Sequence, residues 1–187
     1  MIKQQKIAQM AAYLLAKTGG TLPVLKLHKL LYLAEKESVV NRRLFMSGDC
    51  PVSMPHGPVL SQTLDLTNGA GIDVPGGWRE WIDDREGYNV RIKDEHATAE
   101  RSDFDYLSDA DIGILDDILE QFGAMSQFEL RDWTHRYCEE WEDPKGSSKP
   151  IPISRIFRAA GYSDDYSKML AKEIEADQIA DELFAGA

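Results

Sequence analysis

The chain has 187 residues, 43% of them hydrophobic, with 21 Lys+Arg against 32 Asp+Glu and a net charge of −11. That is enough apolar material for one core, and so acidic a surface repels phosphates and excludes a nucleic-acid footprint over most of the molecule. No apolar run approaches the roughly 18 residues of a membrane span, Lys3 and Lys6 precede no signal-like block, and Cys50 and Cys138 make neither a disulfide framework nor a Cys-rich zinc site. A single soluble, cytoplasmic domain over 1–187 is expected.

In chain order, Ile7, Met10, Ala11, Leu14 and Leu15 recur at helical spacing, and Gly19-Gly20 supplies a stop. A second helix is expected from Thr21 or Leu22, with Pro23 in its first turn and an apolar stripe of Val24, Leu27, Leu30, Leu31 and Ala34. Lys26, Lys29 and Lys36 fall on other faces of it. From Leu44 to Pro58 the Gly and Pro residues forbid a long helix and suit extended pieces joined by turns. Val59 to Leu66 reads as helix, with Gly57-Pro58 in its N-terminal turn. Trp81-Ile82-Asp83 and Tyr88 to Ile92 flank Asp84-Arg85-Glu86-Gly87, and the alternation of Tyr88, Val90 and Ile92 predicts a short hairpin.

Ser108, with Asp109 and Asp111 in the first turn, caps a helix whose expected stripe is Ile112, Leu115, Leu119 and Phe122. Ser126 with Glu129 is a capping box for a helix running to about Glu140. Asp143 to Pro152 is a loop, Arg155 to Ala160 a short helix, and Ser163 opens a final helix carrying Tyr166, Leu170, Ile174 and Ile179. The sum is a mainly α, α+β fold: about seven helices with a small antiparallel β element.

Charge is uneven along this chain. Residues 1–45 hold eight Lys/Arg against two Asp/Glu, a balance of +6, and the rest holds 13 against 30, a balance of −17. The basic helices either meet a charged partner or lie against the acidic later helices.

No strong catalytic constellation is present. The histidines are His28, His56, His96 and His135; none lies in an H-E-x-x-H run, and neither a P-loop, a dinucleotide glycine pattern nor a nucleophile elbow occurs. His135 with Cys138 or Glu139 gives half a tetrahedral zinc shell and no second pair to complete it. Asp116, Asp117 and Glu120 read as the solvated side of an amphipathic helix. Trp78 and Trp81, like Trp133 and Trp141, either anchor an interface or fill the core.

Three motifs carry a resemblance. Lys26-Leu27-His28-Lys29-Leu30-Leu31-Tyr32-Leu33-Ala34 resembles the first motif of the SocA-like antitoxin family, or Panacea domain; Ser53-Met54-Pro55-His56-Gly57-Pro58-Val59-Leu60-Ser61 is similar to its second. Thr134-His135 followed by Glu140-Trp141-Glu142-Asp143-Pro144 is similar to the third, and Ile151 and Ile156-Phe157 continue the pattern. The resemblance spans about 22–161, leaving 163–187 as a C-terminal helix. His28, His56 and Glu140 stand where much of the family has Gln, Tyr and Pro.

The resemblance implies a non-enzymatic antitoxin, of a kind found in bacterial and phage genomes, that neutralises a cognate toxin encoded beside it. Its alternatives are an adaptor presenting the toxin to a cytosolic AAA+ protease and, as a rival from the residues alone, a metal-dependent hydrolase using His135. No cofactor, catalytic residue or metal is expected, and no membrane or direct nucleic-acid partner. The expected partner surface is the turn around His56 and Pro58, with Lys26 and Lys29 steering an acidic partner and Trp78 and Trp81 as anchors. The N–H groups of the helix expected after Pro58 are free to take an acidic or carbonyl group; alternatively Gly57 and Pro58 shape a buried turn. Leu27, Leu30, Leu31, Tyr32, Gly57, His135, Trp141 and Pro144 are assigned structural roles.

Overall fold

The computed structural model describes residues 3–72 and 74–185. Among them the elements run α1 (Gln4–Lys17), β1 (Thr21–Pro23), α2 (Val24–Arg42), β2 (Pro51–Met54), β3 (Gly57–Leu60), α3 (Ser61–Thr67), α4 (Trp78–Trp81), β4 (Asn89–Arg91), α5 (Asp109–Phe122), α6 (Gln127–Tyr137), β5 (Lys149–Pro150), α7 (Ile153–Ala159) and α8 (Asp164–Ala185). The fold is mainly α with two small antiparallel sheets, β1-β4 and β3-β2-β5. The last two residues of the expected C-terminal helix lie outside the described residues.

Two helices form the centre. In α1 the nine successive residues from Ile7 to Leu15 are buried, and in α2 so are the nine from Leu27 to Glu35. α2 is packed against α1, α5, α6, α7 and β3, which leaves it no solvent face along that stretch. The apolar stripe of Leu27, Leu30, Leu31 and Ala34 is core as expected, and Tyr32 is fully buried beside it. Lys29 departs from expectation: it lies at 0% exposure rather than on a solvated face.

The first helix stops where the glycines stand. Gly19 and Gly20 take φ of +87° and +86°, a region glycine enters without a Cβ clash, and Gly20 N–H donates to the Leu15 carbonyl at 2.7 Å. That turn feeds β1 rather than a helix, correcting the expected start of α2 at Thr21 or Leu22. Pro23 sits just before the helix, and Leu22 pairs with Val90 of β4. The expected hairpin is revised for the same reason. Its second arm is β4, but β4 ladders with β1; Trp81 belongs to α4, and only the Ile82–Ile92 bridge joins the two arms above their tip. Val90 and Ile92 are buried and Tyr88 is 81% exposed.

The stripe of α5 is rotated from its expected setting. Ile114, Leu115, Ile118 and Phe122 are buried, while Ile112 and Leu119 are half-buried. Asp111 supplies the reason. Its carboxylate is fully buried, 2.6 Å from Lys6 and 2.7 Å from Arg42, and it closes the capping box by accepting from Ser108 N–H and Oγ–H. Burial acts to raise this acid, but the donors outweigh it and bring the carboxyl down to about 2. With Asp111 turned inward, the apolar positions one turn on follow it.

The basic N-terminal helices thus lie against acidic later segments. Besides Lys6 and Arg42 on Asp111, Lys36 pairs with Glu140 at 2.7 Å. α7 and α8 pack against each other, and α8 buries Leu170 and Ile174, whereas Ile179 is 60% exposed.

Leu115→Ala, made in a side chain at 0% exposure, is expected to destabilise the fold by roughly 2–5 kcal/mol, because it leaves a cavity in the core. Leu119→Ala costs less, and the exposed Asp117→Ala stays within about ±0.5 kcal/mol. Denaturant midpoints check this; a Leu115→Ala midpoint equal to wild type would refute the packing.

Candidate functional site

The site grows from a hairpin. β2 and β3 pair in the register Val52–Val59 and Met54–Gly57, so Pro55 and His56 alone form the connection. Proline at the second turn position presets φ, and glycine at the fourth is favoured by such a turn. Gly57 takes φ +95°, and a Cβ there would come within 2.9 Å of both Lys29 Nζ and Thr134 Oγ1 and 3.1 Å from the His135 ring. Only glycine fits that packing.

Each strand end is tied to a different part of the chain. Lys29 Nζ, from α2, donates to the Pro58 carbonyl at 2.8 Å. Trp141 Nε1 donates to the Met54 carbonyl at 3.0 Å. The Trp141 ring stacks on His135 with centroids 4.4 Å apart and planes 13° from parallel. Pro144, just beyond, is buried. Glu140, fully buried, accepts from Tyr32 Oη at 2.5 Å and from Lys36 Nζ at 2.9 Å. The three segments singled out in the sequence therefore meet through side chains of α2, the hairpin, and the end of α6 with its following loop.

Between them runs a groove of about 460 Å³. The α2 wall gives Val24, Leu25, His28 and Lys29; the hairpin gives Met54, Pro55, His56 and Val59. Leu64, Arg85 and Tyr88 close one side, and Gln127, Phe128 and Arg131 of α6 the other. Phe128 is 56% exposed, an aromatic ring left on the rim. Among the described residues no Asp or Glu lines the groove.

The buried titratable groups are shifted by desolvation. Burial brings the Lys29 ammonium down to about 7. His28 is lowered to about 3, first by complete burial and then by the nearby charges of Lys29 and Arg85, so its imidazole is neutral. Both of its ring nitrogens lack a hydrogen-bond partner. Cys138 is pushed up to about 12 by burial and by Glu140, which keeps the thiol protonated and unreactive. Among the described residues no group of three or more His, Cys, Asp or Glu side chains is placed to hold a metal. Asp116 accepts a hydrogen bond from Tyr13, and Asp117 and Glu120 face solvent.

Several expected site residues lie elsewhere. Trp78 and Trp81 are core residues at 5% and 6% exposure, and Trp81 stacks on His96 and Phe104, so neither indole is left exposed to anchor a partner. Lys26 donates to the Gly123 carbonyl at 2.7 Å and neutralises the C-terminal end of α5. It and the buried Lys29 are structural ties within the fold. Gly57 and Pro58 lie in a strand, not in a helical turn. The free N–H groups expected after Pro58 are also occupied: Asp49 accepts from Gln62 and Thr63 N–H and caps α3 from below. Of the expected partner surface, His56 at the tip is exposed and lines the groove. Arg85, Tyr88, Phe128 and Arg131 were not foreseen, although Phe128 and Arg131, three apart on a helix, share a face.

A preformed apolar groove, rimmed by cations and closed at one end by an anchored hairpin, is the build of a binding module. The chain belongs to the antitoxin SocA-like family: the description "Antitoxin SocA-like, Panacea domain" matches residues 27–142, from the α2 wall of the groove to the loop after Trp141. That membership supports an antitoxin role and implies a toxin as partner. Neither a curated protein nor a solved structure gives a significant match. Among the described residues no helix is long and apolar enough to cross a membrane.

Gly57→Val is expected to lower the melting temperature by several degrees, since a β-branched residue at φ +95° has neither backbone nor space for it. Gly146→Ala, at φ +85° with nothing within 4 Å, isolates the backbone cost alone. Equal losses in the two variants would show that crowding at Gly57 plays no part.

His28 also shapes the acid limb of stability. Its folded pKa near 3 lies below its ordinary 6.5, so stability fully present above about pH 6.5 is lost as pH falls toward 3. Glu35, raised to about 7 by burial, acts in the opposite direction between about 7 and 4.5. His28→Leu is expected to keep the Glu35 gain and lose the His28 decline, which denaturant midpoints at pH 7, 5.5 and 4 would read out. Parallel profiles for variant and wild type would contradict the buried neutral imidazole.

Proposed function

We propose that this protein neutralises a cognate toxin, encoded beside it, by direct complex formation, with the groove between α2, the β2–β3 hairpin and α6 as the contact face. One observation carries the reading: residues of the first and second family motifs line the same groove, and those of the third lock the hairpin that forms its end. Residues distributed over more than a hundred positions of chain converge there on a surface that is apolar, exposed and assembled without a partner. A rigid turn loses little conformational entropy when it docks, so its contacts are retained as affinity.

This surface replaces Trp78, Trp81 and Lys26 as the place where a partner is met, and keeps Lys29 only as part of its wall. His56 contributes as a side chain, Pro55 and Pro58 as fixed backbone.

The test is co-expression with the neighbouring open reading frame. Growth is expected to be arrested by that product alone and restored by the wild-type chain. His56→Ala is expected to melt as wild type does and to weaken the purified complex by at least about 1 kcal/mol, the threshold for a contributing interface residue. Rescue absent with every neighbouring frame would defeat the reading; unchanged affinity with a lower melting temperature would make the turn structural.

A further inference from the structure

The groove has an electrostatic character opposite to the rest of the molecule. The chain carries 32 Asp+Glu against 21 Lys+Arg, yet the groove is lined by Lys29, Arg85 and Arg131, with His28 and His56, and by no carboxylate. The Arg85 guanidinium is held by neutral acceptors, the Gly87 carbonyl and Asn68 Oδ1, at 2.7 and 3.0 Å, and its acidic neighbours Asp83, Asp84 and Glu86 line other faces rather than the groove. Arg131 meets only its neighbour Asp132, in an ion pair that is 30% and 61% exposed and therefore weak. It also lies over the Phe128 ring at 5.4 Å.

His28 is the second, independent observation. It is 4% exposed, lines the groove, and has no partner at Nδ1 or Nε2. A buried polar group left unpaired costs stability, so one that the fold retains calls for an explanation. A neutral imidazole offers one donor and one acceptor. A peptide unit presents the complementary pair, one C=O and one N–H.

We propose that the groove seats an extended, acidic segment of the toxin: an apolar side chain enters the floor, flanking carboxylates face Arg85 and Arg131, and a main-chain amide pairs with His28. This rests on the antitoxin reading and specifies its partner's chemistry. The apolar floor supplies the anchor and the cations supply orientation and association rate, which is how the two kinds of contact divide in protein interfaces. A basic segment is disfavoured twice, by repulsion from the arginines and by the absence of any acid to receive it.

The decisive experiment titrates the neighbouring toxin into the full chain at low and at physiological salt, alongside an array of overlapping peptides covering the toxin. Wild type is expected to bind, more weakly as salt rises, and the peptides retained are expected to pair an apolar residue with Asp or Glu. The double variant Arg85→Gln/Arg131→Gln should bind roughly tenfold more weakly and lose most of the salt dependence, with its melting temperature unchanged. His28→Leu should melt at or above wild type, since it removes an unsatisfied buried group, and yet bind roughly tenfold more weakly. Should His28→Leu fail to fold, the arginine pair, outside the core, decides. A toxin that rescues and binds, but binds the double variant as tightly as wild type, overturns the acidic-segment inference and leaves the antitoxin reading standing; so does retention of basic peptides. A toxin that neither binds wild type nor is neutralised by it ends both.

Discussion

α2 has no solvent face over its middle, and every polar side chain it carries there must find its partner inside. Removing a charged or hydrogen-bonding group from water without replacement is costly, so the helix dictates what surrounds it. Glu35 accepts from Ser47 N–H and Oγ–H; Lys29 takes the Pro58 carbonyl; Tyr32 and Lys36 converge on Glu140; Arg42 reaches Asp111. The chain order of those partners is the order of the fold. The loop after α2, the hairpin, the start of α5 and the segment after α6 are each tied to polar side chains of this one helix.

His28 breaks that rule. It occupies the same buried stretch, one residue from Lys29, and receives nothing. A helix that satisfies its other polar groups with such regularity makes the omission informative, because a leucine would pack there at lower cost. Local departures of this kind are expected where stability and binding pull in different directions.

The elements that end in side-chain chemistry were legible in the sequence. Ser108 was legible as a cap and Ser126 with Glu129 as a capping box, and in the structure both Asp111 and Glu129 return to the cap N–H. The Gly19-Gly20 stop and the apolar stripe of α2 followed from spacing. What failed was inference about faces. Periodicity counts Asp111 and Lys29 as polar and assigns them to water, yet each has an ion-pair or hydrogen-bond partner more than twenty residues away, and no local window contains that partner. The same limit hid the groove. Arg85, Phe128 and Arg131 acquire a common role only after β4 is drawn to β1 and α6 to β3, and β1 is three residues whose pairing depends on a strand nearly seventy positions later.

The order of the second sheet has one more consequence. Its two outer strands each contain a proline: Pro58 in β3, whose carbonyl is already taken by Lys29, and Pro150 in β5, which is only two residues long. Proline offers no N–H to a further strand, so each edge lacks a donor that an added one would need. That blunts the sheet against both edge-to-edge aggregation and capture of an unfolded strand. Any partner has to be recognised through side chains presented above the sheet, and selectivity is thereby moved from backbone pairing, which accepts almost any sequence, to shape and charge, which do not.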